Sequence, residues 1–466
     1  MNTSGNKKLT LLATCLGFVV VLLDVSVVNV ALESFKAEFA TNVLQLQWIV
    51  NAYTLLFASL LLTAGALGDR FGHKKVFLLG YAVFTLASLG CGLAHTLPML
   101  IGFRSLQGIG AALLVPTSLA LVRIAYEIPA ERNKAIALWA GVAGIALAAG
   151  PVVGGLLIGV FGWRSIFFIN LPIGLIGIVL CMVNTPRIAP DHKGGFDLWG
   201  QLLALFALAN LIYTVIDLGR EEGVDLWVII HALCFVVALI GFVWVELRTA
   251  RPMVPLSVFN NAAFSLASIL GVIVNFVFYG LIFVFSIFLQ QVNHYSVINT
   301  GLAFLPMTGV LFFGNQLAAR WLPKLRERRL LALGLAIALL GVVSLEPFVD
   351  GAPYADIAVQ MFFIGFGISL TVPTLTAIAV NHVSSDKSGV ASAVVNASRQ
   401  VGGLIGVAIF SLLINVADAS QFGHGFARVI VLSSLLLAVG WALTLVLLRK
   451  QPLAVKSATL SNAQKP

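Results

Sequence analysis

The sequence predicts an all-α membrane protein of 466 residues, with two six-helix bundles and two extra transmembrane helices between them. Three observations predict it. Hydrophobic residues make up 59% of the chain and charged residues 10%. The apolar residues fall into fourteen unbroken runs of membrane-spanning length. Lysine and arginine are distributed unequally between alternate connections.

Composition sets the class. A soluble chain has roughly a quarter of its residues charged, enough to cover its surface, and this chain falls far short. Its mean hydropathy is +1.01, so its outer surface faces lipid. The net charge of +9 raises the question of nucleic acid. The cations sit between apolar runs, however, where they orient the chain, so no nucleic-acid partner is expected. Cys15, Cys91, Cys181 and Cys234 each lie inside an apolar run without metal-ligand spacing, and read as small buried hydrophobes. The first apolar run is too long for a cleavable signal and reads as the first span.

The fourteen runs cover about 9–32, 46–67, 75–94, 97–122, 135–160, 164–184, 198–217, 227–246, 263–290, 300–320, 329–348, 355–381, 391–416 and 428–449. Continuous runs of this kind exclude an alternating-strand barrel. With an even number of spans both termini share a side. That side carries 22 of the 28 cations, among them Lys7, Arg70, Lys74, Lys75, Arg187, Lys193, Arg251 and Lys387. The opposite side has four, Lys36, Arg164, Arg220 and Arg428, and two fall inside spans. This asymmetry predicts a multi-pass protein of the cell inner membrane with both termini in the cytoplasm. The polar stretch 185–197 and the segment around Arg251, Pro252 and Pro255 divide the chain. The expected parts are an N-terminal bundle over 1–190, two inserted helices over 191–255, a C-terminal bundle over 256–450 and a cytoplasmic tail over 451–466. Two six-helix halves suit a transporter in which one half rocks against the other.

Ionisable groups deep in a span are costly and are functional candidates by default. Three occur: Asp24, Arg104 and Arg399. Asp24 is about 12 Å from the outer end of the first span, and Arg104 about 10 Å from that of the fourth, at 1.5 Å per residue. At matching depth the two can pair across a shared cavity wall. A carboxylate paired there gains or loses a proton according to which water or substrate reaches it, as proton coupling requires. A fixed ion pair that only joins helices is the competing reading. Arg399 opens Arg399-Gln400-Val401-Gly402-Gly403, a faint echo of Arg104-Ser105-Leu106-Gln107-Gly108. Gly402, Gly403 and Gly406 mark its helix as a close-packing face.

Glycine and proline supply two further devices. In the fifth span, residues 144–155 contain Gly150, Pro151, Gly154 and Gly155. Pro151 removes a backbone donor and favours a kink, while the glycines admit a neighbouring helix, so the segment is a candidate pivot. Between the second and third spans, Gly65, Asp69, Arg70 and Gly72 form a short turn. Asp69 there can accept backbone donors or pair with cations of a neighbouring helix, holding the inner side closed. Lys74 and Lys75 read as orientation charges only.

Together these segments resemble the Major Facilitator Superfamily, and within it the fourteen-helix drug:proton antiporter branch. Gly65-x-Leu67-x-Asp69-Arg70-x-Gly72-His73-Lys74 is similar to the family's second-to-third-span signature, with His73 where Arg is usual. Arg104-x-x-Gln107-Gly108-x-Gly110-Ala111-Ala112 resembles its fourth-span signature. Gly150-Pro151-x-x-Gly154-Gly155 resembles the antiporter signature of the fifth span, with Ala146 in place of a customary Gly. Leu23-Asp24-x-Ser26-Val27-Val28-Asn29-Val30-Ala31-Leu32 resembles the first-span signature of the fourteen-helix branch, with Glu33 where Pro is usual. Trp163-Arg164-x-x-Phe167-x-x-Asn170-x-Pro172 fits the same branch. The resemblance implies Asp24 as a proton or cation site, Arg104 as its partner, Asp69 as a gate residue, and export as the direction.

Cavity candidates are Asn29, Asn51, Tyr53 and Gln107 in the first half, and Asn275, Tyr279, Gln290, Asn315, Gln316, Asn396, Arg399 and Gln400 in the second. With 32 phenylalanines and few fixed polar groups, such a cavity favours lipophilic or cationic small molecules. The expectation is a monomer exchanging such compounds for protons, driven by the proton gradient without a cofactor or metal. Export of one metabolite or antibiotic, or nutrient uptake, is the alternative. No nucleophile motif, metal cluster or phosphate loop points to an enzyme, and no long soluble segment points to a sensor.

Overall fold

Apolar runs of spanning length form helices because a backbone among hydrocarbon must satisfy its own hydrogen bonds. The computed structural model describes residues 6–185, 197–218, 224–249, 252–346, 354–383, 388–414 and 419–448. Arg187, Lys193, Arg220, Arg251, Lys387, Arg449, Lys450, Lys456 and Lys465 of the charge comparison lie outside these residues, as does the 451–466 tail. The described residues form helices and connections, with no strand.

The first six spans are α1 (Lys7–Val30), α3 (Val43–Phe71), α4 (His73–Gly92), α5 (Leu97–Ala125), α6 (Pro129–Phe161), and a sixth built from the short α7 (Ser165–Phe168) and α8 (Asn170–Asn184). A short α2 (Leu32–Phe39) follows α1. Next come α9 (Leu198–Asp217) and α10 (Leu226–Arg248). The remaining spans are α11 (Ala262–Ile287) with a π-helical extension, the short α12 (Val297–Ala303) leading into α13 (Leu305–Val343), then α14 (Tyr354–Asn381), α15 (Ser388–Leu413) and α16 (Ala419–Leu447). Among the described residues, thirteen stretches are long and apolar enough to cross a membrane. The fourteenth span is inside α13, which changes direction at Arg326 (φ 63°, ψ 156°) and so contains two helices. The left-handed backbone there breaks the helix within a cluster of Arg and Glu.

Close packing comes from small residues. A Cβ on Gly108 of α5 would strike the carbonyl oxygen of Tyr53 in α3. One on Gly110 would lie 2.7 Å from the backbone nitrogen of Phe84 in α4. Gly402 and Gly406 of α15 bear in the same way on the Val272 and Phe276 carbonyls of α11, so the expected close-packing face is present. Capping also fixes the helix ends. Asn6, Asn42, Thr96, Asp197, Asp225 and Asn261 each accept from backbone N–H groups of the turn that follows.

The hydrogen bonds that the described residues make between the halves lie away from the face carrying the start of α1. Ser286 donates to the Asn29 carbonyl, Gln290 to the Val30 carbonyl at 3.3 Å, and Gln291 to Glu33 at 2.8 Å. Ser411 donates to Gln47 at 2.6 Å, and Thr308 to the Ala148 carbonyl at 3.1 Å. Toward the face carrying the start of α1, α6 and α13 meet along the seam between the halves in ordinary van der Waals contact: a Cβ on Gly141 or Gly144 would lie 3.7 Å from Gln316 Nε2 or Asn315 Nδ2. The α9–α10 pair lies against this seam. Leu55 of α3, Ile212, Val215 and Ile216 of α9, and Leu404 and Ala408 of α15 form one apolar cluster. In α10, Val228, Ala238 and Glu246 are buried, and most of the remaining side chains are exposed or half-buried, so the helix turns much of its surface outward.

Gly108→Ala is expected to destabilise the protein by about 1–3 kcal/mol, because the opposing backbone carbonyl cannot yield. Gly102→Ala, with nothing within 4 Å of the new methyl, is expected to be neutral or stabilising. Thermal unfolding of the two variants in detergent checks this.

Candidate functional site

The site grows from α1. Asp24 is fully buried, and its Oδ2 forms an ion pair with Arg104 of α5. Its Oδ1 accepts from Gln107 Nε2 at 3.1 Å and from Asn170 Nδ2 at 3.2 Å. Arg104 also donates through Nε to the Ile49 carbonyl of α3 at 3.0 Å and through Nη1 to Gln107 Oε1 at 2.8 Å. Its guanidinium lies 4.4 Å from the ring centroid of Tyr53. Ser88 of α4 accepts from Gln107 at 2.7 Å and from Asn170 at 3.3 Å. Five of the first six spans thus meet at one carboxylate.

The predicted pairing of Asp24 and Arg104 is present, but not on a shared cavity wall. The two side chains are 0% and 1% exposed, which makes the site a closed polar knot. Tyr53 and Gln107, expected in the cavity, belong to this knot instead. Tyr53 is 1% exposed and faces Arg104, and its hydroxyl donates to the Val21 carbonyl at 3.4 Å. The reason is charge: every polar group of the first half within reach is recruited to offset an ion pair held out of water. Asn170 and Ser88 were not singled out from sequence as site residues. Asn170 could have been found through the Trp163-Arg164 motif that contains it, whereas Ser88 leaves no signal in a helix of small residues.

The central seam receives other candidates. Asn29, Tyr279, Gln400 and Gly403 line a narrow gap together with Val25, Val50, Thr54 and Val407. Asn51 lies between Gln47 and Leu55 on the α3 face that meets α15, and neither of its side-chain polar atoms has a partner. Asn275 is buried and donates to its own helix at Gly271, 3.0 Å away. Asn396 and Arg399 are half-buried on α15. Arg399 occupies the fifth span of its half, whereas Arg104 occupies the fourth, so the sequence echo does not place the two equivalently. A separate cleft of about 610 Å3 lies between α3, α5 and α9, lined by Trp48, Ile101, Ser105 and Tyr213 among others. It includes neither Asp24 nor Arg399.

Gly150 and Gly154 of α6 face α1, where added Cβ atoms would strike Ser26 and approach Val27 Cα to 3.2 Å. Gly155 faces the second half, where a Cβ would lie 2.8 Å from the Val297 carbonyl, and Gly301 bears on the Pro151 carbonyl. This segment therefore touches α1 on one side and α12 on the other. The helix continues through Pro151. Asp69, near the end of α3, pairs with His73, the first residue of α4, at 3.1 Å and is 62% exposed. Gly72, with φ 95°, provides the turn conformation that a side chain resists. Arg70 lies over Phe71, 5.5 Å from its ring centroid. Lys74, read from sequence as an orientation charge only, donates to the Met182 and Thr185 carbonyls at 2.9 and 2.6 Å, capping the end of α8. At the opposite face, Arg164 donates to Glu38 at 2.9 Å, and this bond holds the Glu38 carboxyl below its usual pKa.

The model of the Major Facilitator Superfamily matches residues 14–407. The chain belongs to the Major Facilitator Superfamily. It is 37% identical to the methylenomycin A resistance protein of Bacillus subtilis (strain 168) over 431 residues, 91% of each chain. It is 32% identical to the tetracenomycin C resistance and export protein of Streptomyces glaucescens over 418 residues, covering 90% of this chain and 77% of that one. The crystal structure of the D-xylose-proton symporter superposes with a TM-score of 0.69 over 96% of this chain and 98% of that one, at 16% identity, a likeness of fold. As a superfamily member, the chain is a multi-pass membrane transporter whose cargo is a small molecule.

Arg104→Met leaves Asp24 buried without its counter-charge, and is expected to cost about 3–5 kcal/mol. The double variant Asp24→Asn/Arg104→Met is expected to recover part of that loss. Thermal unfolding of the two single variants and the double in detergent reads the coupling, and additive effects would show that the pair does not hold the helices.

Proposed function

We propose that this transporter exports small lipophilic organic compounds from the cytoplasm across the inner membrane in exchange for protons, with both termini cytoplasmic. The observation that carries the reading is the buried Asp24–Arg104 pair on helices that also reach across to the second half. On α1, the Asn29 and Val30 carbonyls that accept from Ser286 and Gln290 lie five and six residues beyond Asp24, about 8–9 Å at 1.5 Å per residue. On α3, the Ile49 carbonyl accepts from Arg104, and Gln47 accepts from Ser411 of the second half.

Protonating Asp24 removes the anion that Arg104, Gln107 and Asn170 surround. The donors then lose their charge-assisted acceptor, and α1 and α3 are released to shift relative to α5 and α8. Because helices are stiff, such a shift moves the contacts between the halves. In this conformation those bonds join the halves at the end away from the start of α1, and Asp69 is paired locally with His73. Both features fit a state open toward the cytoplasm. Gly155 against α12 and Gly301 against Pro151 supply a tight contact about which the halves can pivot. The gradient supplies the driving force, and no cofactor is required. The chain is proposed to work as a monomer.

The direction of transport is supported by the Gly150-Pro151 signature and by relatives named for resistance and export. These two relatives are each named for a single antibiotic, which supports export of one compound as a second reading, whereas others of similar identity are named for multidrug resistance.

In proteoliposomes, Asp24→Asn is expected to abolish substrate-stimulated proton release while the protein still folds and inserts. Unchanged gradient-driven export by this variant overturns the coupling role. Arg104→Ala is expected to reduce transport more than Lys74→Ala, and equal mild effects would leave Arg104 a packing residue only.

A further inference from the structure

The two cations inside the spans, Arg104 buried and Arg399 half-buried, have opposite surroundings. Arg104 has a carboxylate, an amide oxygen, a carbonyl and an aromatic face within reach. Arg399 has none of the first three. It takes part in no ion pair or hydrogen bond among the described residues, and its Nε is buried without a partner. It sits midway along α15 with its stem wedged against α11: a Cβ on Gly271 would lie 3.2 Å from Arg399 Cγ.

Its position borders the central seam. Gln400, Gly403 and Val407 of the same helix line the gap shared with Val25 and Asn29 of α1, Thr54 of α3 and Tyr279 of α11. Some unmet hydrogen-bonding capacity lies near this seam. Asn29 Oδ1, both polar atoms of Asn51 and Asn315 Oδ1 are buried without partners, as is Arg399 Nε. Buried polar groups are ordinarily satisfied, and a guanidinium without a counter-charge at mid-membrane is among the costliest arrangements a fold can hold. The carboxylate farthest inside a span, Asp24, is sealed on the other side of α1 and committed to Arg104.

We propose that Arg399 is the counter-charge for an anionic group, a carboxylate or a comparably planar oxyanion, on an otherwise lipophilic substrate. This rests on the export reading and names its substrate class. A guanidinium presents parallel N–H donors that match the two oxygens of a carboxylate; of these unpaired amide atoms only Asn51 Nδ2 is a donor. A lipophilic cation entering the same seam meets a like charge and no free acid. Of the lipophilic and cationic compounds that the sequence brings to mind, the structure therefore keeps the first and disfavours the second.

Three naphthalene probes of one ring system separate charge from lipophilicity: 1-naphthaleneacetate, 1-naphthaleneethanol and 2-(1-naphthyl)ethylammonium. Titration calorimetry on the full-length protein in detergent at pH 7 gives their affinities. The acetate is expected to bind at least about tenfold more tightly than the ammonium, the value of one charge-assisted contact. Arg399→Gln is expected to erase that ratio, and Arg399→Lys to retain part of it. Thermal unfolding of each variant establishes that it is folded. A preference for the ammonium, equal affinities, no measurable binding of any probe, or an unchanged ratio in Arg399→Gln each overturns the assignment. Asp24→Asn is expected to lose proton release in proteoliposomes yet keep the acetate preference, so failure of the coupling reading and failure of the substrate class show separately.

Discussion

A carboxylate held out of water in the apolar interior is tolerable only with its counter-charge and hydrogen-bond donors in contact, and the first half of this protein is arranged around meeting that demand at Asp24. Arg104, Gln107 and Asn170 surround it, and Ser88 orients the last two. These groups come from α4, α5 and α8, and the Ile49 carbonyl adds α3. The glycines of α5 let α3 and α4 approach closely enough for that convergence, since Gly108 and Gly110 leave no room for a Cβ. Charge satisfaction and close packing are therefore one constraint here. In the proposed mechanism, losing the negative charge would loosen a junction that five spans share.

The second half meets the first through a different chemistry. Its hydrogen bonds across the seam go largely to backbone carbonyls and neutral amides, such as Ser286 to Asn29 and Gln290 to Val30. Neutral bonds of this kind contribute only about 0.5–1.5 kcal/mol each, so the seam can open without removing an ion from its partner. A knot of charge inside one half and a weakly bonded seam between the halves together suit a machine that moves rigid halves.

The α9–α10 pair fits the same logic. Gln201 of α9 donates to the Ser59 carbonyl of α3 at 2.9 Å, and Ile212 and Ile216 pack with Leu55 and with Leu404 of α15. It covers the seam laterally while α10 faces lipid. An added hairpin here shields the junction of the halves from the bilayer without entering the knot.

Sequence by itself determined the helical membrane class, the number of spans, the pairing of Asp24 with Arg104 and the close-packing faces, because each is local or follows from energy. Apolar run length predicts a span, depth along a helix predicts which charges can meet, and a glycine row predicts close approach. It also carried the superfamily signatures in order along the chain. Tertiary structure decided what those residues face. Tyr53 and Gln107 joined the ion pair rather than a cavity, Lys74 became a helix cap, Asp69 turned to His73, and Arg399 was left without a hydrogen-bond or ion-pair partner among the described residues. Helical spacing tells which residues share a face, but the neighbour that face meets depends on how the halves are docked, and docking is set by packing across hundreds of residues rather than by any local pattern.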